Sequence, residues 1–165
     1  MRSLIIGYGN PYRRDDGVGF HVLSEVAKRL GRPPLGLDDD GLDDLGQDVD
    51  FVCLPQLMPE LAETIIGYGQ VIFVDAHTGA FQEDLRCEPV NPMYVPSAFT
   101  HHMKPETLLG LSRLFSERIP DGHVISVRGN DFDMGVQLSA ETECLAQQAV
   151  DCIMDLVAPS ADTPS

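Results

Sequence analysis

The chain has 165 residues, of which 43% are hydrophobic and 22% charged, the size and composition of one ordinary globular domain rather than of a disordered chain. A domain of this length buries enough surface to fold without disulfides or a structural metal. Eleven basic and 26 acidic residues give a net charge of −15, which disfavours nucleic acids and anionic membranes as partners because both are bound through basic residues.

The N-terminal part of the chain predicts a strand, a glycine-rich loop and a helix. Leu4–Ile6 is a short apolar run that ends at Gly7, as a buried strand would. After the loop GYGNPYRR, apolar residues recur at every fourth position and predict one helical face: Val18, Val22, Val26 and Leu30. Asp15 or Asp16 is placed to cap this helix, and Gly31 is placed to end it.

Two further strands and a helix are predicted in the next part of the chain. Val49–Leu54 is the second strand, and Pro59 opens a helix that runs to about Ile66. Val71–Val74 is a continuous β-branched and aromatic run, which is typical of a strand buried on both faces of a parallel sheet, and it ends at Asp75. A weaker strand is predicted at residues 84–89.

The C-terminal part predicts helix, strand and helix after a loop at residues 91–103. Pro105 starts a helix, residues 123–128 form a strand, and Ser139 caps the last helix. The apolar face of the first of these helices consists of Leu108, Leu111 and Phe115. The apolar stripe of the last helix consists of Leu145, Ala149, Cys152, Ile153 and Leu156. Residues 159–165 are expected to be a frayed tail.

Alternation of strands and helices at this spacing predicts an α/β fold. We expect a single domain over residues 1–158, with three layers: a mostly parallel twisted sheet between helices on both faces. Residues 38–50 contain seven Asp and no basic residue. We interpret this acidic segment as a solvated surface loop, and the alternative is a docking surface for a basic segment of a partner.

Cysteine spacing and the absence of targeting signals favour a cytoplasmic protein. No CxxC pattern is present, and we interpret all four cysteines as reduced thiols: Cys53, Cys87, Cys144 and Cys152. Cys144 and Cys152 are spaced so that both can face the core. The N-terminal apolar run is too short for a signal peptide, and no window reaches the length of a membrane span.

Candidate metal ligands are predicted at one edge of the sheet. Ligands of open α/β sheets bind beyond the carboxyl ends of the strands, where the loop with Asp15 and Asp16 and the strand end at Asp75 are expected. His101 and His102, in the loop before the third helix, can reach the same edge, and His77 is a competitor. Two carboxylates and one imidazole suit a divalent transition metal, although each Asp alone is also consistent with a capping role.

The glycines after the first strand do not predict a nucleotide site. Gly7 and Gly9 start a GxG pattern, but the third glycine of a dinucleotide-binding fingerprint is replaced by Tyr12. No phosphate-binding GxxxxGK[ST] pattern is present in the sequence. We therefore expect no bound nucleotide, and we expect the glycines to serve the backbone of the loop.

Four stretches, in order, resemble the hydrogenase maturation endopeptidases, and together they cover residues 3 to about 155. The opening SLIIGYGNPYRRDDGVGFHVLSEV is similar to that family's strand, GxGN loop and acidic pair. Its matching positions are Gly7, Gly9, Asn10, Asp15, Asp16, Gly17 and Gly19. The other three stretches are LPQLMPELAETIIGYGQVIFVDAHTG, AFTHHMKPETLLGL and DFDMGVQLS.

The resemblance implies a function and a set of site residues. It implies an endopeptidase that removes the C-terminal extension of a nickel–iron hydrogenase large-subunit precursor after nickel insertion. The family's metal-binding and catalytic triad falls on Asp16, Asp75 and His101, where the family often has Glu in place of Asp16. His101 is preferred to His102 because Thr100 precedes it, as in the family's Thr-His loop.

The role of nickel is open between two models at this point. In one, the triad holds a metal that polarises the scissile carbonyl or activates water. In the other, it binds nickel already present in the substrate, so that the free enzyme is metal-free. The alternative function is a nickel-binding assembly chaperone for the hydrogenase large subunit that does not cleave it.

Overall fold

The apolar runs predicted to be strands form one five-stranded sheet in a computed structural model that describes residues 1–93 and 103–158. The strands are β1 (Ser3–Tyr8), β2 (Val49–Leu54), β3 (Gln70–His77), β4 (Leu85–Val90) and β5 (Asp121–Arg128). Their order across the sheet is β2-β1-β3-β5-β4. All neighbours are parallel except β4, which pairs antiparallel with β5 at one edge.

Within the described residues, four α-helices cover the two faces of this sheet. They are α1 (Val18–Arg29), α2 (Leu61–Ile65), α3 (Pro105–Ser112) and α4 (Ala140–Val157). Helices α1 and α4 pack together on one face, and α2 and α3 pack together on the other. The predicted three-layer α/β fold is confirmed.

Strand β3 lies at the centre of both cores. Ile72 and Val74 face α1 and α4, whereas Val71 and Phe73 face α2 and α3, and all four side chains are fully buried. Each buried side chain of this size contributes roughly 1.5–3 kcal/mol through removal of apolar surface from water. The carboxyl end of β3 is therefore held by the most buried part of the molecule.

Some helix ends differ from their predictions. Helix α1 begins at Val18 with no side-chain cap, so the prediction that Asp15 or Asp16 caps it is wrong. Both carboxylates accept hydrogen bonds elsewhere. Helix α2 starts at Leu61 rather than at Pro59. Helix α3 ends at Ser112, and Phe115, expected on its apolar face, is half exposed. In α4, the Ser139 side chain caps the helix as predicted.

The acidic segment is anchored at its end by a buried carboxylate. Asp50, in β2, is fully buried, and its Oδ2 accepts hydrogen bonds from Tyr68 Oη at 2.7 Å and Arg2 Nη2 at 3.0 Å. The backbone N–H groups of Gly46 and Gln47 also donate to it. Burial alone raises the pKa of Asp50, but these hydrogen bonds outweigh burial and lower it below its ordinary value. Asp50 is therefore buried, whereas the sequence predicted that the whole of the acidic segment is a solvated loop.

The four cysteines are free thiols. Cys144 is exposed on α4, so the expectation that it faces the core is wrong, whereas Cys152 is half-buried. Among the helices that the structure describes, none combines the length and apolar character that a membrane span requires. The tail predicted for residues 159–165 lies outside the described residues.

Candidate active site at the carboxyl edge of the sheet

Asp75 lies near the carboxyl end of the central strand, on the face that is covered by α2 and α3. It sits inside β3 rather than just after it, because the strand continues to His77. Ser126 lies opposite Asp75 on β5 and donates a hydrogen bond of 2.7 Å from Oγ to Asp75 Oδ1. Tyr8, the last residue of β1, donates from Oη to Asp75 Oδ2 at 2.9 Å. Three neighbouring strands therefore fix the orientation of this carboxylate.

Burial dominates the electrostatics of Asp75. Removal from water raises the pKa of Asp75, and hydrogen bonds from Ser126 and Tyr8 and the nearby charges of His77 and Arg86 compensate only in part. The same burial, with the adjacent negative charge, raises the pKa of Tyr8 far above its ordinary value. Tyr8 therefore stays neutral and keeps its proton available for donation to Asp75.

Asp16 reaches the same edge of the sheet from the other helical layer. It lies in a 3-10 turn, Arg14–Gly17, that leads into α1 and packs against β3. Its Oδ2 accepts a hydrogen bond of 2.8 Å from the backbone N–H of Asn10. A Cβ at Gly19 would lie 2.9 Å from the Val74 carbonyl oxygen, so the start of α1 rests directly on the residue before Asp75.

Gly9 allows the loop to close over this turn. Its φ of 135° lies in the region that favours glycine, and a Cβ there would lie only 2.1 Å from the carbonyl oxygen of Asp16. The predicted backbone role of this glycine is consistent with that contact. The loop GYGNPYRR and the turn that carries Asp16 are therefore in backbone contact, which sets the position of the Asp16 side chain.

Asp15, the other acid of the pair, is an interior anchor. It is fully buried, and its Oδ2 accepts hydrogen bonds from Asn130 N, Asp131 N, Ser139 Oγ and Thr142 Oγ1, while Oδ1 accepts one from Ser139 N. Burial alone raises the pKa of Asp15, but these donors outweigh it and lower the pKa to about 2. Asp15 ties the turn before α1 to the start of α4.

The predicted histidines have different outcomes. His101, the predicted third ligand, and its competitor His102 lie outside the described residues. His77 is buried at the end of β3, where its Nδ1 accepts a hydrogen bond of 3.1 Å from Gly79 N and its ring packs edge-on against Phe81. Its Nε2 has no hydrogen-bond partner in the described part of the chain. His77 lies on the same strand face as Asp75, two residues further on.

A cavity of about 610 Å³ opens beside Asp75. Tyr8, Asp75 and Ser126 form one part of its wall, and β4 supplies Arg86 and Glu88. Met93 and Met103, the described residues on either side of the segment that contains His101, also line it. The cavity combines apolar side chains with a few polar and charged groups, a lining that is typical of ligand-binding pockets.

The described residues alone do not complete a metal site. Within residues 1–93 and 103–158, no three His, Cys, Asp or Glu side chains lie close enough to hold one ion. Asp16 and Asp75 nevertheless suit a hard or borderline cation, because each carboxylate retains lone pairs beyond its hydrogen bonds. A third ligand from the segment between Met93 and Met103 would complete the predicted set.

Sequence reasoning missed the partners of the site residues. Tyr8 and Ser126 were not singled out, although alternation along β1 and β5 places them on the Asp75 face once the strand order is known. The buried role of Asp15 was also missed, because all of its donors lie more than 110 residues further along the chain.

Comparison with known proteins identifies the fold through structure alone. No protein-family model matches the chain, and no curated protein matches it in sequence. The NiFe hydrogenase maturation protease HybD from Thermococcus kodakarensis superposes with a TM-score of 0.61 at 20% identity, over 96% of this chain and 100% of that one. The hydrogenase maturating endopeptidase HybD from E. coli gives 0.62 at 18% identity, over 95% and 92%.

A third solved structure extends this likeness. The NiFe hydrogenase maturation protease HycI from Thermococcus kodakarensis superposes with a TM-score of 0.61 at 20% identity, over 94% of this chain and 92% of that one. All three cover nearly the whole length of both chains, so the likeness concerns the complete fold rather than one shared motif. The chain has the fold of the hydrogenase maturation endopeptidases.

Proposed function

We propose that the chain is an endopeptidase that removes the C-terminal extension of a nickel–iron hydrogenase large-subunit precursor after nickel insertion. The observation that carries the proposal is the setting of Asp75, a carboxylate that three strands orient in the wall of a cavity of about 610 Å³. The turn with Asp16 packs on the same strand. The fold shared with maturation proteases from two organisms supports it.

We assign Asp16, Asp75 and His101 as the residues that bind the nickel of the precursor. Asp16 and Asp75 are two carboxylates whose elements, the 3-10 turn and β3, pack together at one edge of the sheet, and like charges brought to a shared ion would repel each other without it. A divalent ion relieves this repulsion, and a neutral peptide does not. Met103, which follows His101 by two residues in the sequence, lines the cavity beside Asp75, and this supports the assignment of His101 to the same site.

The protein residues around the metal ligands have defined roles in this proposal. Tyr8 and Ser126 donate to Asp75 and hold its lone pairs in a fixed direction, as hydrogen-bonded neighbours of metal ligands do. The half-exposed wall of β4 and the apolar side chains of Met93 and Met103 accommodate the extended C-terminal peptide. Nickel, when bound, would either let the enzyme recognise the nickel-loaded precursor or polarise the scissile carbonyl.

The test is a cleavage assay with nickel-loaded and nickel-free precursor side by side, read by intact mass. We expect loss of a C-terminal peptide from the nickel-loaded precursor alone. Equal cleavage of both precursors would contradict nickel recognition. A nickel-loaded precursor that binds but stays intact would contradict the protease and favour the assembly chaperone.

Two variants connect the assay to the site. Asp16→Asn and Asp75→Asn keep the size of each side chain and remove its charge, and we expect both to abolish or greatly slow cleavage. Asp43→Asn, an exposed residue of the acidic segment, is the matched control and should cleave at the parent rate. Circular dichroism of each variant checks that the fold is intact.

A further inference from the structure

Two thiols meet between the edge strand and the last helix. The Sγ atoms of Cys87, on β4, and Cys152, on α4, lie 3.0 Å apart, and the Cys87 thiol donates a hydrogen bond to the Cys152 sulfur. A disulfide bond is about 2.05 Å long, so a small approach of the two side chains brings them to bonding distance. We propose that Cys87 and Cys152 are a site of reversible oxidation, closed to an intramolecular disulfide by a low-molecular-weight disulfide such as oxidised glutathione.

The elements on both sides of the pair hold the two thiols face to face. Cys87 is opposite Ile125 in the antiparallel pairing of β4 with β5, and α4 packs against both strands. Alternation along β4 directs Cys87 toward α4, while Arg86 and Glu88 on the other face of the strand line the cavity beside Asp75. The two thiols therefore face each other across the contact between β4 and α4.

A small oxidant has access to the pair. A hollow of about 280 Å³ is lined by both cysteines together with His123, Asp155 and Glu88, and the Cys87 residue is exposed. Burial of the sulfur, and its hydrogen bond to Cys152, raise the pKa of the Cys87 thiol to about 12. Exchange at this thiol is therefore slow at neutral pH, because the thiolate is the attacking species.

Oxidised glutathione accepts the two electrons that the two protein thiols lose. One protein thiolate attacks a sulfur of oxidised glutathione, which forms a mixed disulfide and releases the first glutathione thiolate. The second protein thiolate then attacks the protein sulfur of this mixed disulfide, forms the Cys87–Cys152 bond and releases the second glutathione thiolate. The protein loses two protons and two electrons, and one glutathione disulfide becomes two glutathione thiols.

The other two cysteines are placed where they cannot replace this pair. Cys53 lies on β2, at the opposite edge of the sheet from β4, and burial raises the pKa of its thiol to about 11. Cys144 lies on α4 eight residues before Cys152, or about two helical turns away, and is exposed. Cys144 therefore provides a matched control on the same helix.

The test incubates the full chain overnight with oxidised glutathione and then reads its intact mass and its non-reduced peptide map. We expect a monomer lighter by two hydrogen atoms, in which the Cys87 and Cys152 peptides are joined. Cys87→Ser and Cys152→Ser should not form this species, and Cys144→Ser should form it like the parent. Circular dichroism establishes that each variant is folded.

The oxidised chain should also be more stable. The bond links residues 65 apart in sequence, so it restricts the unfolded chain, and we expect Tm to rise by about 5–15 °C in a non-reducing scan. Addition of dithiothreitol should return Tm and mass to the reduced values. Three results would overturn the proposal. The parent chain keeps its mass, it forms a disulfide through Cys144 or Cys53 instead, or it forms only disulfide-linked dimers.

Discussion

Asp15 and Asp16 are neighbours in the chain, yet their carboxylates occupy opposite environments. Asp15 is fully buried and accepts five hydrogen bonds from the segment 130–142, whereas Asp16 is half-buried and accepts one from Asn10 N. The 3-10 turn that holds both residues directs one side chain into the molecule and leaves the other at the sheet edge. Asp15 therefore has a stabilising role, and Asp16 has the proposed role of a metal ligand.

Matched substitutions should show this separation. Asp15→Asn replaces one carboxylate oxygen by an amide NH2 group, which cannot accept the hydrogen bonds that the backbone N–H groups of Asn130, Asp131 and Ser139 donate to this side chain. We expect it to lower the free energy of unfolding by about 2–4 kcal/mol. Asp16→Asn should change it by less than about 1 kcal/mol, since one half-buried acceptor is affected, and should still lose cleavage. Urea unfolding and the precursor assay measure the two effects, and a stable Asp15→Asn would contradict the anchor role.

Tyr8 should position Asp75 rather than stabilise the fold. Tyr8→Phe removes the hydroxyl that donates to Asp75 at 2.9 Å, and we expect cleavage to slow by about 10–100-fold with little change in Tm. Tyr12→Phe is the control, because it removes a comparable bond of 2.7 Å to Asp38 on the exposed side of the loop. Parent-like cleavage by Tyr8→Phe would show that this hydrogen bond does not serve the site.

Asp50 should make stability depend on pH. Its folded-state pKa is lower than its ordinary value of 3.8, so its contribution is present above 3.8 and is lost as the pH falls through the lower folded-state value. Asp50→Asn should lower the free energy of unfolding by about 2–4 kcal/mol at neutral pH and make that free energy decrease less steeply as the pH falls below 3.8. Asp43→Asn should show the same decrease of the free energy of unfolding with falling pH as the parent chain. If Asp50→Asn shows that same decrease too, Asp50 is not its source.

Histidine substitutions should identify the third ligand. His101→Ala is expected to lose cleavage, whereas His102→Ala and His77→Ala should weaken it at most, because His77 is engaged with Gly79 N at the end of β3. The loss of the His77 ring from its buried position should appear as a lower Tm. Thermal unfolding and the precursor assay distinguish the variants, and full activity of His101→Ala would move the ligand to another histidine.

Local patterns predicted the fold because each element has a simple signal. The β-branched run of Val71–Val74 predicted the central strand, and the four-residue spacing from Val18 to Leu30 predicted α1. The helix that starts at Pro105 ends at Ser112, earlier than its apolar residues indicated, and Phe115 lies half exposed beyond it. The antiparallel direction of β4 has no local signature, since it depends on pairing with the distant strand β5.

The site was predicted less completely than the fold. Strand signals predicted that the loop with Asp15 and Asp16, and also Asp75, lie at the carboxyl edge, and the family resemblance selected Asp16 from the acidic pair. Tyr8 and Ser126 became visible only through strand order. The contact of Cys87 with Cys152 likewise joins an edge strand to a helix 65 residues away. Such partners are set by tertiary packing, and sequence spacing carries no information about them.

The donors to Asp15 have a consequence for the order in which a newly made chain becomes functional. All of them belong to residues 130–142, so none exists when a ribosome has synthesised only the first strand and helix. Until then the carboxylate has no partners for a buried state, and burying it alone is unfavourable. A translation product truncated before Asn130 therefore lacks every one of these donors, and the turn that carries Asp15 and Asp16 is not tied to the start of α4.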